Sequence, residues 1–141
     1  MRRSAAADRL ARAMWTAGIA LALLHVVLAF DLVYGWSHDA AVAAAVRQTA
    51  DRVGWGWRGG IYVNYVFLAL WLVDVGWWWL SPASHAKRSL RVERTRLVLF
   101  AFMFLNGAVV FALGIGRVFG IAALSLVLIA SARWKPRAVY A

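Results

Sequence analysis

The stretch NYVFLALWLVDVGWWWL, residues 64–80, is almost entirely apolar, yet it contains Asn64 and Asp74 and ends in three consecutive tryptophans. Extended back to Gly60, this run is about 21 residues long, enough for a helix to cross the roughly 30 Å hydrocarbon core of a bilayer. Ser81 and Pro82 follow it, and proline cannot continue the interior of a helix. We therefore predict a transmembrane helix over residues 60–80 that carries a carboxyl group inside an apolar segment.

The composition extends this interpretation to the whole chain. Of its 141 residues, 64% are hydrophobic and 16% are charged, whereas a soluble domain carries about 45–50% apolar and roughly 25% charged residues. A net charge of +10 indicates nucleic-acid binding in a soluble protein, but membrane proteins retain Arg and Lys on the cytoplasmic side. We predict one integral membrane domain, residues 1–141, whose partners include membrane lipids and no nucleic acid. Because the chain has no cysteine, disulfides and thiolate chemistry are excluded.

Four segments are apolar enough to cross a membrane. Arginines precede the first segment, as in a signal peptide, but its apolar run is too long and no small-x-small cleavage site follows it. The fourth is short for a span that needs roughly 20 residues. The predicted fold class is all-α, a polytopic membrane protein with four transmembrane helices in an antiparallel bundle, at about 13–34, 60–80, 97–113 and 118–132.

The distribution of positive charge predicts the orientation. Basic residues are concentrated before the first span, in the connection 81–96, and after the fourth span. These regions share one side if the chain crosses four times, and loops rich in Arg and Lys remain in the cytoplasm. We therefore predict that both termini are cytoplasmic. The abundance of Arg and Ala is typical of GC-rich bacterial genomes, which places the chain in a bacterial inner membrane.

The long connection after the first span is predicted to contain a short amphipathic helix on the outer side. Ser37 is a plausible N-cap and Gly54 a plausible helix stop. Between them, Val42, Val46 and Val53 recur at helical spacing, with polar residues on the other faces. We predict a helix at about 38–53 that lies across the outer ends of the spans or in the interface.

Eight of the nine tryptophans fall near predicted span ends. Indole rings favour the membrane–water boundary, so we interpret these residues as interfacial anchors and assign them no chemistry; only Trp71 lies in the middle of a span. The predicted anchors are Trp15, Trp36, Trp55, Trp57, Trp77, Trp78, Trp79 and Trp134.

Polar residues within or beside the spans are predicted to form two levels. An ionisable group inside a span costs about 2.5–3.5 kcal/mol on insertion scales, so it normally pairs or lines a wet cavity. For Asn64 and Asn106 the structural alternative to a functional role is interhelical hydrogen bonding, and for Arg117 and Asp31 it is contact with water at the outer boundary. A protonated Asp74 would be a structural hydrogen-bond donor. At about 1.5 Å per residue, the residues divide into a deep level of Asp74, Asn106 and His25, and an outer level of Asp31, Asn64, Arg117 and His38.

The sequence contains two further candidate sites, at His25 and in the basic connection 81–96. His25 is the only histidine well inside a predicted span, so the paired imidazoles of a b-type haem are not available there, although a tetrapyrrole with a single axial ligand remains an alternative. Otherwise no cofactor and no metal is predicted. The basic connection is a topology signal or, alternatively, binds lipid headgroups through Lys87, Arg88, Arg91, Arg94 and Arg96.

The sequence contains no hydrolase elbow, P-loop, dinucleotide fingerprint or zinc-protease motif, so no catalytic residues are predicted. The favoured hypothesis is a small, non-catalytic subunit or assembly factor of a larger membrane complex. The alternative is a homo-oligomeric transporter or channel with Asp74 as a protonatable coupling site, and a lesser one is a pigment- or haem-binding subunit that uses His25.

Overall fold

The computed structural model describes residues 5–107 and, beyond them, the single positions Gly114, Val118, Ile121, Ala122 and Ser125. This part of the chain is all-helical, without strands. Its helices are α1 Ala5–Leu32, α2 His38–Val53, α3 Gly60–Leu80, α4 Pro82–Ala86 and α5 Leu90–Leu105. The chain divides into two compact units, Met1–Arg96 and Leu97–Ala141.

Helix α1 begins at Ala5, earlier than the predicted start of the first span. The alanines that open it have high helix propensity, and Asp8 lies in its first turn, where a negative charge is favourable. After Leu32 the chain turns through Gly35 and Trp36, whose φ angles are +55° and +59°. The backbone N–H of Trp36 donates a hydrogen bond to the Phe30 carbonyl at 2.9 Å, and this bond closes the turn that leads into α2.

Helix α2 has the range that its cap residues predict. The Ser37 side chain accepts a hydrogen bond from the Ala40 N–H at 3.2 Å, and Gly54 ends the helix in the left-handed conformation with φ +85°. Ala41 and Val42 are buried against Ile61 at the start of α3. The helix is therefore docked on α3 through its small apolar face.

Helices α1 and α3 pack closely where a glycine allows it. A Cβ on Gly18 would lie 2.8 Å from Cζ2 of Trp71, a separation that carbon atoms do not tolerate, so the indole occupies the space that a side chain would fill. Trp15 lies beside the same ring, with centroids 5.0 Å apart, and Ile19 is 3% exposed. The mid-span Trp71 therefore belongs to a helix–helix contact.

Two helices, α1 and α3, are long and apolar enough to cross a membrane. Only 6% and 11% of the residues in their most apolar windows, respectively, are buried, so few of these residues are enclosed by the described part of the chain. Helix α5 overlaps the start of the third predicted span. Most of the fourth predicted span, together with Arg117 and Trp134, lies outside the described residues.

The stretch 81–96, predicted as a connecting loop, is largely helical. Pro82 occupies the start of α4, where its missing N–H costs nothing, and α5 begins at Leu90 rather than near Leu97. The Ser89 side chain accepts from the Val92 N–H at 3.4 Å, as an N-cap does. The many charged residues of this segment predict a solvated loop. Local helix caps and ion pairs instead stabilise helical structure there.

In the second unit, α5 ends at Leu105 and is followed by a π-helical turn at Asn106 and Gly107. The Asn106 side chain donates to the Phe102 carbonyl one turn earlier, at 2.8 Å. Ser125 donates in the same way to the Ile121 carbonyl, at 2.8 Å. Both polar side chains are thus hydrogen-bonded to the backbone of the preceding turn.

Candidate functional site

The candidate site of the first unit is a polar network centred on Asp74, in the C-terminal third of α3. Asp74 is 9% exposed. Its Oδ2 accepts a hydrogen bond from Trp15 Nε1 of α1 at 2.8 Å, and its Oδ1 lies 3.2 Å from His85 Nε2 of α4. One carboxyl group therefore connects three helices.

His85 is the most deeply buried polar residue of this network. It is 3% exposed, because its ring stacks on Trp78 with centroids 4.8 Å apart and an angle of 10°. The edge of Trp77 covers it from another side, at 5.4 Å. Two of the three consecutive tryptophans thus shield the imidazole that contacts Asp74.

The partners of His85 indicate which ring nitrogen carries the proton. Arg88 Nη1 lies 2.9 Å from Nδ1 and 3.3 Å from Nε2, and it also donates to the His85 carbonyl at 2.9 Å. A guanidinium cannot accept a hydrogen bond, whereas the carboxylate of Asp74 beside Nε2 can only accept one. We infer from these partners that a neutral His85 carries its proton on Nε2 and donates it to Asp74.

The surroundings of His85 favour this neutral form. Burial lowers the pKa of the imidazole below its ordinary value, and the charge of Arg88 acts in the same direction. The hydrogen bond to Asp74 raises the pKa but does not outweigh the burial. The network thus holds a titratable group that resists protonation near neutral pH.

Glu93 completes the network at the start of α5. It forms ion pairs with Arg88 and, at 2.7 Å, with Arg96, and these two hydrogen bonds lower the pKa of its carboxyl group to about 2. The guanidinium carbon of Arg96 also lies 5.4 Å from the Trp15 ring centroid. Glu93 is therefore linked through Arg88 to His85 and through Arg96 to Trp15, and these are the two partners of Asp74.

An adjoining cluster, the Arg12 cluster, consists of Arg12, Thr16, Trp78 and Trp79 and shares Trp78 with the Asp74 network. The guanidinium carbon of Arg12 lies 5.0 Å from the Trp79 ring centroid and 5.8 Å from that of Trp78. Trp79 donates its Nε1–H to Thr16 Oγ1 at 2.9 Å. Thr16 in turn donates to the Arg12 carbonyl at 2.9 Å, so the four residues connect the ends of α1 and α3.

An aromatic group lies at the other end of α3. The His38 ring, at the start of α2, lies with Nδ1 3.2 Å from the Tyr65 hydroxyl and Nε2 3.5 Å from the Tyr62 hydroxyl. Its ring also makes edge and tilted contacts with both phenols. His38 itself is exposed, so this group links α2 to α3 at the protein surface.

The two predicted polar levels are only partly assembled by these contacts. Of the deep level, Asp74 is buried, whereas His25 is exposed and lies ten residues beyond Trp15 on α1, about 15 Å along the helix axis. Asn106 bonds to its own helix in the second unit. Asp74 is instead paired with Trp15 and His85, neither of which was assigned to that level.

The described residues of the predicted outer level likewise have separate surroundings. Asp31 accepts from Trp36 Nε1 at 3.1 Å, in an exposed position. Asn64 is exposed on α3, and His38 is engaged by the two tyrosines. Arg117 lies outside the described residues, so its place in the outer level stays a prediction.

The predicted anchors and headgroup ligands differ in their surroundings. Trp36, Trp55, Trp57 and Trp79 are exposed, whereas Trp15, Trp77 and Trp78 are partly buried. Lys87, Arg91 and Arg94 are exposed, but Arg88 and Arg96 are bound to Glu93. The basic segment therefore contains both solvated charges and charges that the protein uses internally.

His85 was missed because it follows the predicted end of the span. One signal was available: Pro82 directly after Ser81 is typical of a helix start. A new helix there reverses the chain and can return a residue one turn later to the end of α3. Within the described part of the chain, no three His, Cys, Asp or Glu side chains lie together so as to hold a metal ion.

Comparison of the chain with known protein families, with curated proteins and with solved structures found no significant match.

Proposed function

We propose that this protein is a small integral membrane subunit, non-catalytic by itself, that assembles with a larger complex in a bacterial inner membrane. In this proposal the chain crosses four times and both termini are cytoplasmic. Helices α1 and α3 are the first two spans, and residues 97–113 and 118–132 form the other two. Helix α2 then lies on the outer side.

The observation that carries the proposal is the uncovered apolar surface of the two long helices. Leu21, Leu24 and Val27 of α1 are 67%, 52% and 47% exposed, and Val66 and Val73 of α3 are 56% and 66% exposed. A soluble protein rarely leaves continuous apolar surface of this kind open to water. Lipid covers such surface, and so do the spans of a partner.

The contacts of Asp74 support a structural rather than a catalytic role. Both carboxylate oxygens are engaged, one by an indole N–H and one by an imidazole. The imidazole is in turn contacted by Arg88, which forms an ion pair with Glu93. A carboxyl group occupied in this way joins helices, as interhelical hydrogen bonds in membrane proteins commonly do.

Native mass spectrometry of the protein, extracted gently from its own membrane at natural abundance, tests the proposal. We expect it to co-migrate with other membrane chains. A bare homo-oligomer would contradict the subunit role.

The docking face can be mapped in the same membranes, because the chain has no cysteine. We expect a cross-linker on Leu24→Cys, an exposed position, to capture a partner, and one on Ile19→Cys, which is 3% exposed, not to do so. Capture by both variants would indicate non-specific reaction, and capture by neither would argue against docking through α1.

A second function is favoured by one observation, the buried contact between Asp74 and His85. Two titratable groups at hydrogen-bond distance inside a largely apolar helix contact are typical of proton-coupled carriers. A homo-oligomer in which this pair loads and releases a proton would be a transporter or channel. Proton flux into vesicles containing the purified protein, lost in Asp74→Asn and kept in Asp31→Asn, would favour that function over the subunit role.

A further inference from the structure

Arg12 differs from Arg88 and Arg96, the partly buried arginines of the neighbouring Asp74 network, in having no anionic partner among the described residues. Arg88 and Arg96 share the single carboxylate of Glu93. Among the described residues, no carboxylate lies within ion-pair distance of Arg12, whose guanidinium instead lies over the rings of Trp79 and Trp78. Indole faces attract a cation but do not cancel its charge. The group therefore retains an unbalanced positive charge.

The guanidinium is held in place by the rest of the Arg12 cluster. The hydrogen bond from Trp79 to Thr16 fixes the indole, and Thr16 lies one turn after Arg12 on α1. A guanidinium stacked on a fixed ring has few conformations left, and its planar fork of N–H donors keeps a defined direction. Such a group binds a phosphate with little further loss of conformational freedom.

The surroundings of the cluster suit a phospholipid better than a soluble anion. Trp79 is 54% exposed, and the next residue, Leu80, is 88% exposed. An exposed indole and an exposed leucine at the end of an apolar helix provide a boundary surface on which a headgroup and the start of an acyl chain can lie. Arg9, Lys87, Arg91 and Arg94 are exposed on segments that adjoin this end of α1 and α3, and they add positive charge that favours an anionic headgroup.

We propose that Arg12, held against Trp78 and Trp79, binds the phosphate of an anionic phospholipid. This site replaces part of the basic segment as the specific lipid contact, because Arg88 and Arg96 are bound to Glu93. It rests on the membrane placement proposed above but not on the presence of any partner protein.

The test uses the purified full-length protein in a neutral detergent, with phosphatidylglycerol or phosphatidylcholine added and bound lipid counted by native mass spectrometry. We expect phosphatidylglycerol to be retained in preference to phosphatidylcholine. Arg12→Gln should weaken its binding about tenfold, as the loss of one charge-assisted hydrogen bond does. The matched control Arg47→Gln, at an exposed position on α2, should bind like the wild type.

Three outcomes would overturn the site. They are equal retention of the two lipids, undiminished phosphatidylglycerol binding by Arg12→Gln, and displacement of the lipid by inorganic phosphate alone, which would identify a soluble-anion site. If Arg12→Gln does not fold, Arg12→Lys decides, because it keeps the charge and loses the planar fork. We expect weaker lipid binding by Arg12→Lys, and binding equal to the wild type would contradict the proposal. None of these results bears on co-migration with other chains, so this site and the subunit role can fail separately.

Discussion

At the scale of single residues, the polar network of the first unit is centred on Asp74 and its two partners, Trp15 and His85. The sequence indicated that Asp74 is not a lipid-facing residue, because a carboxyl group inside an apolar segment needs partners. It could not indicate which residues are the partners of Asp74. Depth estimates compare positions along helix axes, and they do not detect a turn that brings a later segment back to the end of α3. Trp15 and His85 lie 59 and 11 positions away along the chain, and only the helix pairing and the turn at Pro82 bring them to Asp74.

The first prediction concerns Asp74→Asn. The amide has one acceptor oxygen, so it can serve Trp15 or His85 but presents an N–H₂ group to the other donor. His85 cannot adapt by moving its proton to Nδ1, because Arg88 donates there. We expect a loss of about 1–3 kcal/mol of unfolding free energy, the cost of an unsatisfied buried group, measured by denaturation in detergent. Asp31→Asn, in an exposed hydrogen bond, should change stability by less than about 0.5 kcal/mol; equal losses in the two variants would contradict this interpretation.

The second prediction concerns pH. Because the pKa of His85 is lowered in the folded protein, the unfolded chain takes up a proton first as the pH falls below about 6.5. Folding stability contributed by the neutral imidazole should therefore be full above that pH and decline between it and the lower folded pKa. Glu93, whose folded pKa is about 2, weakens the fold only below about pH 4.5, where its unfolded form binds a proton.

The measurement is the melting temperature in detergent from about pH 8 to about pH 5, a range that contains the ordinary histidine pKa. His85→Gln should have a smaller pH dependence than the wild type across this range. His25→Gln, which changes an exposed histidine, should retain the wild-type dependence. A dependence that persists unchanged in His85→Gln would show that another group titrates.

At the scale of elements, the predictable features were those that depend on local signals. Helices α2 and α3 have the predicted ranges, because Ser37, Gly54 and the Ser81–Pro82 pair mark their ends by backbone chemistry. Helix α4 and the first turns of α5 lie within 81–96, which the sequence predicts as a connecting loop because hydropathy alone sets the limits of the spans. The many charged residues of 81–96 are typical of a solvated loop. In the structure, Glu93 and its two arginines form ion pairs that stabilise the start of α5.

The third prediction concerns the connection from α2 to α3. The Thr49 hydroxyl, on a residue 9% exposed, accepts a hydrogen bond from the Trp57 backbone N–H at 2.9 Å and donates to the Ala45 carbonyl at 2.8 Å. Thr49→Val keeps the shape but leaves that N–H without its acceptor, so we expect about 1–3 kcal/mol of destabilisation. Thr49→Ser retains the hydroxyl and should lose less. Proteolysis within residues 54–59 should increase in Thr49→Val, and unchanged cleavage would show that the connection does not depend on this bond.

At the scale of the whole molecule, the sequence predicted an all-helical chain with apolar spans, and α1 and α3 agree with that prediction. The number of crossings and the sidedness do not follow from these two helices. Sidedness depends on Arg and Lys outside the spans, which act through a membrane potential and an insertion machinery rather than through contacts within the fold. A measurement on the protein in its membrane is therefore needed.

The fourth prediction is the topology itself, and the absence of cysteine makes it directly measurable. We expect Ala43→Cys, exposed on α2, to react with a membrane-impermeant maleimide applied from the outer side. Ala83→Cys, exposed on α4, and Ala138→Cys near the C-terminus should react only after the inner membrane is opened. Ala20→Cys, exposed in the middle of α1, should stay unlabelled in both conditions, because a thiol in hydrocarbon does not form the reactive thiolate. Labelling of Ala43→Cys and Ala83→Cys from the same side would contradict α3 as a span. Labelling of Ala83→Cys and Ala138→Cys from opposite sides would give an odd number of crossings between them and exclude the four-span arrangement.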